Sequence, residues 1–192
     1  MLKSYFQNKS NEVGCDEVGR GCLAGPVVAA AVIFPKNYSN ENIKDSKKIS
    51  MDERKSLEVE IKKNAIDWSI GIVSNQSIDK LNILNASILA MHKALDKLSI
   101  KPSFIIIDGN KFKTYKNIDH KCVIKGDNKY LSIAAASIIA KNYRDNFMIK
   151  KSKKIKMYSW EINFGYPTKK HREAIKKYGI TKYHRKSFNI IK

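Results

Sequence analysis

The 192-residue chain carries 37 basic against 18 acidic side chains, a formal net charge of +19, with 43% hydrophobic and 29% charged residues. That composition excludes a disordered chain and allows a sizeable core, while the charge argues for a polyanionic partner held through phosphate neutralisation and counterion release. The longest apolar run, Val27 to Phe34, is too short to cross a bilayer, and the N-terminus lacks the apolar stretch of a secretory signal. A cytoplasmic protein that makes no membrane contact is expected.

The charge has a second source. Lys, Ile and Asn are abundant together, as strong AT bias in coding sequence produces, so part of the lysine content reads as solvated surface. Cys15, Cys22 and Cys122 form no CxxC pair and are odd in number, which argues against a disulfide framework or a zinc site.

In chain order, residues 12–16 read as a strand, and 27–34 as a second whose unbroken apolar run suits a buried sheet position. Residues 45–50 read as a polar loop, and Ser50 with Glu53 forms a capping box that opens a helix to about residue 64. Residues 67–74 resemble a strand. Leu81, Leu84, Ile88, Met91, Leu95 and Leu98 step by three and four, which predicts one helix over 77–98. Phe104 to Ile107 is a short strand ending at Asp108-Gly109, and 121–124 is another ending at Gly126-Asp127. Helices are expected over 130–150 and 168–178, the latter stopped by Gly179. Strands interleaved with helices make the fold class α/β with a central sheet.

Acidic residues follow three of these strands: Asp16 and Glu17, Asp108, and Asp127. Sites in open α/β sheets gather where strands end. Carboxylates brought together there repel unless a cation joins them, and hard oxygen ligands select magnesium or manganese. Each acid alone is better read as a solvated turn residue; their joint placement favours a site. Asp16 and Glu17 point to opposite faces of a regular strand, so a shared pocket requires the backbone to turn there, which Gly19 and Gly21 would permit.

The segment Gly14-Cys15-Asp16-Glu17-Val18-Gly19-Arg20-Gly21, followed by Leu23-Ala24-Gly25-Pro26-Val27-Val28, resembles the opening signature of type II ribonucleases H. Asp45-Ser46-Lys47-Lys48, Ile107-Asp108-Gly109, Lys125-Gly126-Asp127 with Ser132 to Lys141, Gly165-Tyr166-Pro167-Thr168 with His171, and His184-Arg185-Lys186-Ser187-Phe188 fit in the same order. The matches span residues 14–188, nearly the whole chain.

The resemblance implies a ribonuclease H-like fold, a mixed five-stranded sheet flanked by helices, in one catalytic domain over 1–192 with a helical part over about 150–192. It leaves no room for the extra N-terminal domain of type III enzymes. It implies hydrolysis of the RNA strand of RNA–DNA hybrids and nicking 5′ of single ribonucleotides in duplex DNA, using two divalent ions, magnesium or manganese; nothing in the sequence demands more than a monomer. The metal-binding acids it implies are Asp16, Glu17, Asp108 and Asp127. Asp145 competes for the fourth place, although its position on a helix favours pairing with a basic neighbour.

It also implies that Gly19, Arg20 and Gly21 touch the ribonucleotide and that Tyr166 senses the RNA-to-DNA junction. Taken without the resemblance, the glycines simply make a turn, and Tyr166 is a packed loop aromatic. Lys47 reads as a surface lysine or a phosphate contact. His171 reads as a proton shuttle, a phosphate contact or an exposed residue of a Lys-rich helix. The basic segments 150–156 and 169–177 would add duplex grip. A junction resolvase, a non-catalytic hybrid-binding protein and a ribosomal or chromatin-like basic protein compete, the last two lacking a reason for acids at three strand ends.

Overall fold

The computed structural model describes residues 1–7, 10–44, 46 and 49–189. Five strands, β1 (Glu12–Val18), β2 (Val27–Ile33), β3 (Asp67–Val73), β4 (Phe104–Asp108) and β5 (His120–Val123), form one sheet in the order β3-β2-β1-β4-β5. β1 runs antiparallel to β2 and parallel to β4, and β4 runs parallel to β5. The C-terminal ends of β1, β4 and β5 therefore meet at one end of the sheet. That topology brings the strand ends that carry Asp16, Glu17 and Asp108 to the same place.

Helices α1 (Met51–Asn64), α2 (Asn75–Leu81), α3 (Ile83–Leu95), α4 (Leu131–Ser152), α5 (Trp160–Asn163) and α6 (Lys169–Tyr178) flank the sheet. β2 is buried along its whole length, as its apolar run predicts. Its alternate residues feed two cores. Ala29 and Ala31 pack with Cys15, Ile105 and Ile107 against α3, while Val28, Ala30 and Val32 pack against α1 and α4. The capping box of α1 is formed, with the Glu53 carboxylate accepting from the Ser50 amide at 2.9 Å. Gly179 caps α6 at φ 76°.

The helix expected over 77–98 is two helices. The chain breaks at Asn82, whose φ of 64° leaves the helical region, a conformation asparagine tolerates better than most residues. The Asn82 side chain then accepts from the Asn85 amide at 3.1 Å and starts α3. The apolar step of three and four crosses the break, so Leu81 ends up exposed.

Close helix-on-sheet packing depends on one small residue in β3. A Cβ at Gly71 would overlap the Ala90 carbonyl of α3 and lie 2.6 Å from the Ala94 amide nitrogen. Backbone cannot yield as a side chain does, so Gly71→Ala is expected to cost about 1–3 kcal/mol. Urea denaturation measures this as a lowered midpoint; an unchanged midpoint would mean that α3 can shift freely. Among the described residues no helix is long and apolar enough to cross a membrane.

Candidate active site

A cleft of about 540 Å³ opens at the shared strand end, lined by Asp16, Glu17, Asp108, Ser46, Arg54, Ser137, Lys141 and Tyr166 among others. β1 does not turn at its acids, contrary to the sequence expectation. It stays registered with β2 through Asp16–Ala30, Glu17–Ala29 and Val18–Val28. Its ladder with β4 ends at Cys15–Ile107. The last residues of β1 thus overhang the sheet on one side, and both acids border the cleft from a regular strand.

Burial and like charge dominate the electrostatics. Asp16 is held well above the usual carboxylate range, first by burial and then by the charges of Glu17 and Asp108, with hydrogen bonds from Ser137 and the Glu17 amide opposing. Glu17 is raised mainly by burial, against the favourable Arg20 charge. One Glu17 oxygen accepts from Arg20 at 3.1 Å, while Oε2 is buried without a hydrogen bond. Asp108 Oδ1 accepts the Gly126 amide at 2.6 Å.

A cation fits this donor set. Three hard-oxygen groups destabilise one another, and a buried carboxylate oxygen lacks a donor. Among the described residues, however, no three His, Cys, Asp or Glu side chains are already gathered into a metal-binding group. Asp127 lies buried in the 3₁₀ turn Gly126–Asn128, where Oδ1 accepts from the Asn128 side chain at 3.0 Å; among the described residues it is not part of the cleft lining. Asp145 is bound differently. It pairs with Arg54 at 3.0 Å and Lys141 at 2.7 Å, both buried or nearly so.

Tyr166 stands on the cleft wall, and burial pushes its hydroxyl up to about 12, so it remains a proton donor at neutral pH. Gly19, at φ 95°, leaves the space that Arg144 fills, and Gly21 faces open space. Lys47 lies outside the described residues.

His171 is not an exposed contact. It is fully buried, with Nδ1 2.8 Å from the Tyr166 carbonyl and Nε2 accepting from the Trp160 indole at 3.1 Å. Nδ1 must then carry the proton, and burial lowers the ring's affinity for a second one. His171 therefore supports the backbone of Tyr166 from behind instead of reaching a phosphate.

Ser137 and Lys141 escaped the sequence reading as site residues. With Asp145 they recur every four positions along α4, a spacing that puts them on one helix face. Ser137 bonds Asp16, and Ser46 Oγ lies 2.8 Å from Ser137 Oγ.

Residues 13–191 match the family model described as Ribonuclease HII. A ribonuclease HII of Bacteroides fragilis is 56% identical over 191 residues, spanning 100% of this chain and 95% of that protein. Among solved structures, the ribonuclease H2 of Pyrococcus horikoshii superposes with a TM-score of 0.79 at 25% identity, covering 93% of this chain and 94% of that one. The ribonuclease HII of Archaeoglobus fulgidus, solved in complex with PCNA, gives 0.73 at 26% identity, covering 91% and 92%. The chain belongs to the ribonuclease HII family and is an endoribonuclease of the ribonuclease H type.

Proposed function

We propose that this chain hydrolyses the RNA strand of RNA–DNA hybrids and nicks duplex DNA on the 5′ side of a single embedded ribonucleotide, leaving 5′-phosphate and 3′-hydroxyl ends. The observation that carries this reading is the convergence of Asp16, Glu17 and Asp108 in one cleft with Tyr166, next to the Gly-Arg-Gly loop.

In this reading Asp16, Glu17, Asp108 and Asp127 hold two divalent ions, magnesium or manganese. Such ions, when bound, supply an activated water and neutralise the leaving oxygen of a phosphodiester. The chain's own groups do the rest. The carboxylates set where positive charge collects, and the unpartnered Glu17 oxygen is an open ligand position. Asp108, fixed by the Gly126 amide, couples the end of β4 to the turn that carries Asp127. The Tyr166 hydroxyl, kept protonated, donates to the sugar, and the backbone at Gly19 to Gly21 approaches the 2′-hydroxyl, the only local mark of a ribose. Lys141 contributes positive charge on the same wall.

The substrate is an RNA–DNA hybrid or a ribonucleotide-containing duplex, bound by a monomer through its basic surface. An end-labelled DNA duplex with one ribonucleotide, beside its all-DNA twin, tests the reading with magnesium, manganese or chelator. The expected result is a metal-dependent nick 5′ of the ribonucleotide and none in the twin. Binding without a nick under every condition would refute it.

A further inference from the structure

Arg144 and Arg185 are fully buried, and among the described residues every hydrogen bond of their guanidinium groups runs to a backbone carbonyl. Arg144 donates to Pro26 at 2.9 Å, Ala24 at 2.9 Å and Phe164 at 2.8 Å. Arg185 donates to Gly19 at 2.6 Å, Arg20 at 2.9 Å, Gly25 at 3.0 Å and Pro26 at 3.2 Å. Two residues distant in sequence, one on α4 and one in the C-terminal segment, thus hold both ends of the Gly19–Pro26 loop. Burial weakens the hold of Arg185 on its proton, pushing it down to about 10, and only the ring of carbonyls makes such a buried cation tolerable.

Peptide planarity carries the consequence. Among the described residues no peptide bond is cis, and in a trans peptide the carbonyl and the following N–H point in opposite directions. With the Gly19 and Arg20 carbonyls bound to Arg185, the amides of Arg20 and Gly21 face the other way. Among the described residues neither amide has a backbone acceptor, and a Cβ on Gly21 would meet nothing within 4 Å. A Cβ on Gly19 would overlap Arg144 Nε, so that glycine is needed for the arginine to seat. The Leu23 amide donates to the Gly165 carbonyl at 2.8 Å, and the Arg144 guanidinium lies 5.8 Å from the Tyr166 ring. Loop and tyrosine are held as one body.

We propose that Arg144 and Arg185 are the positioning residues of ribonucleotide recognition, holding the loop carbonyls inward so that two adjacent amide donors, on Arg20 and Gly21, face the sugar-phosphate of the substrate. This rests on the assignment of that loop to ribose recognition. Lysine cannot substitute, because a compact ammonium cannot serve three or four carbonyls spread around a planar fork.

Arg185→Lys and Arg144→Lys in the full chain test the proposal by three readouts: hydrogen exchange of segment 19–26, single-turnover cleavage of the one-ribonucleotide duplex, and binding of the all-DNA twin. Each variant is expected to exchange faster in that segment and to lose about 100-fold in kcat/KM. Binding of the twin, which depends on phosphate contacts, stays within about twofold of wild type. Gly21→Pro, which deletes one outward donor and leaves both arginines, is expected to lose cleavage likewise, and full cleavage by it would overturn the proposal even should the lysine variants fail to fold. Unchanged exchange and cleavage, or an equal loss of cleavage and twin binding, would overturn the proposal. A wild-type protein that never cuts the ribonucleotide duplex would count against the recognition reading instead, and exchange in segment 19–26 alone would then decide whether the arginines hold the loop.

Discussion

Asp108→Asn is expected to lower cleavage by about 1,000-fold or more, because losing one ligand forfeits several kcal/mol of transition-state stabilisation. Affinity for a ribonucleotide-containing duplex should change little, since binding depends on basic residues and backbone donors outside the acidic cluster. Asp16→Asn should behave alike, and both variants carry a second signature. Asp16 is raised well above its ordinary range by burial and by Glu17 and Asp108. A carboxyl raised on folding contributes stability that is fully present below its unfolded value and lost as pH rises through the folded one. At neutral pH the metal-free protein bears that loss, and an amide at position 16 does not. The variant is therefore expected to melt higher without metal, by roughly 2–4 °C for each kcal/mol of repulsion relieved. Single-turnover kinetics and a metal-free melt check the two halves. Strong residual cleavage in both variants, or a lower melting point, would contradict the assignment.

Asp145→Asn is expected to do the reverse. Asp145 is buried between Arg54 at 3.0 Å and Lys141 at 2.7 Å, and Arg54 itself also bonds Asn142 at 2.8 Å. Removing one partner of a buried pair leaves an uncompensated charge and costs about 3–5 kcal/mol, a fall in Tm of roughly 6–20 °C. Cleavage per folded molecule should fall by less than about tenfold, one step of 1.36 kcal/mol in barrier. This variant separates the two candidates for the fourth acid. A loss like that of Asp108→Asn, with stability kept, would move the fourth acid from Asp127 to Asp145.

Much of the sheet was legible because its signals are local. β2 is a single apolar run, α1 opens on a capping box, and Asp16 and Asp108 each come one residue after Cys15–Ile107, the last parallel pair of β1 with β4. What stayed illegible arises from contacts between distant segments. The break at Asn82 interrupts a helical periodicity that continues across it. His171 lies in a Lys-rich helix and reads as solvated, yet its ring is enclosed by Trp160, His184 and the Tyr166 carbonyl. Arg144 and Arg185 look like part of the basic surface, and only the folded loop reveals carbonyls waiting for them. The shared cleft of Asp16 and Glu17 was expected from a turn; it comes instead from the overhang of β1 beyond β4.

The most direct test is to titrate manganese into the metal-free protein and follow the free ion by electron paramagnetic resonance, comparing wild type with Asp16→Asn, Asp108→Asn and Asp145→Asn. If the strand-end carboxylates form the ion site, wild type and Asp145→Asn take up manganese alike and the other two lose the tightest uptake. Equal uptake by all four proteins would contradict it, and would leave the cleft acids as a repulsive cluster without an ion to join them.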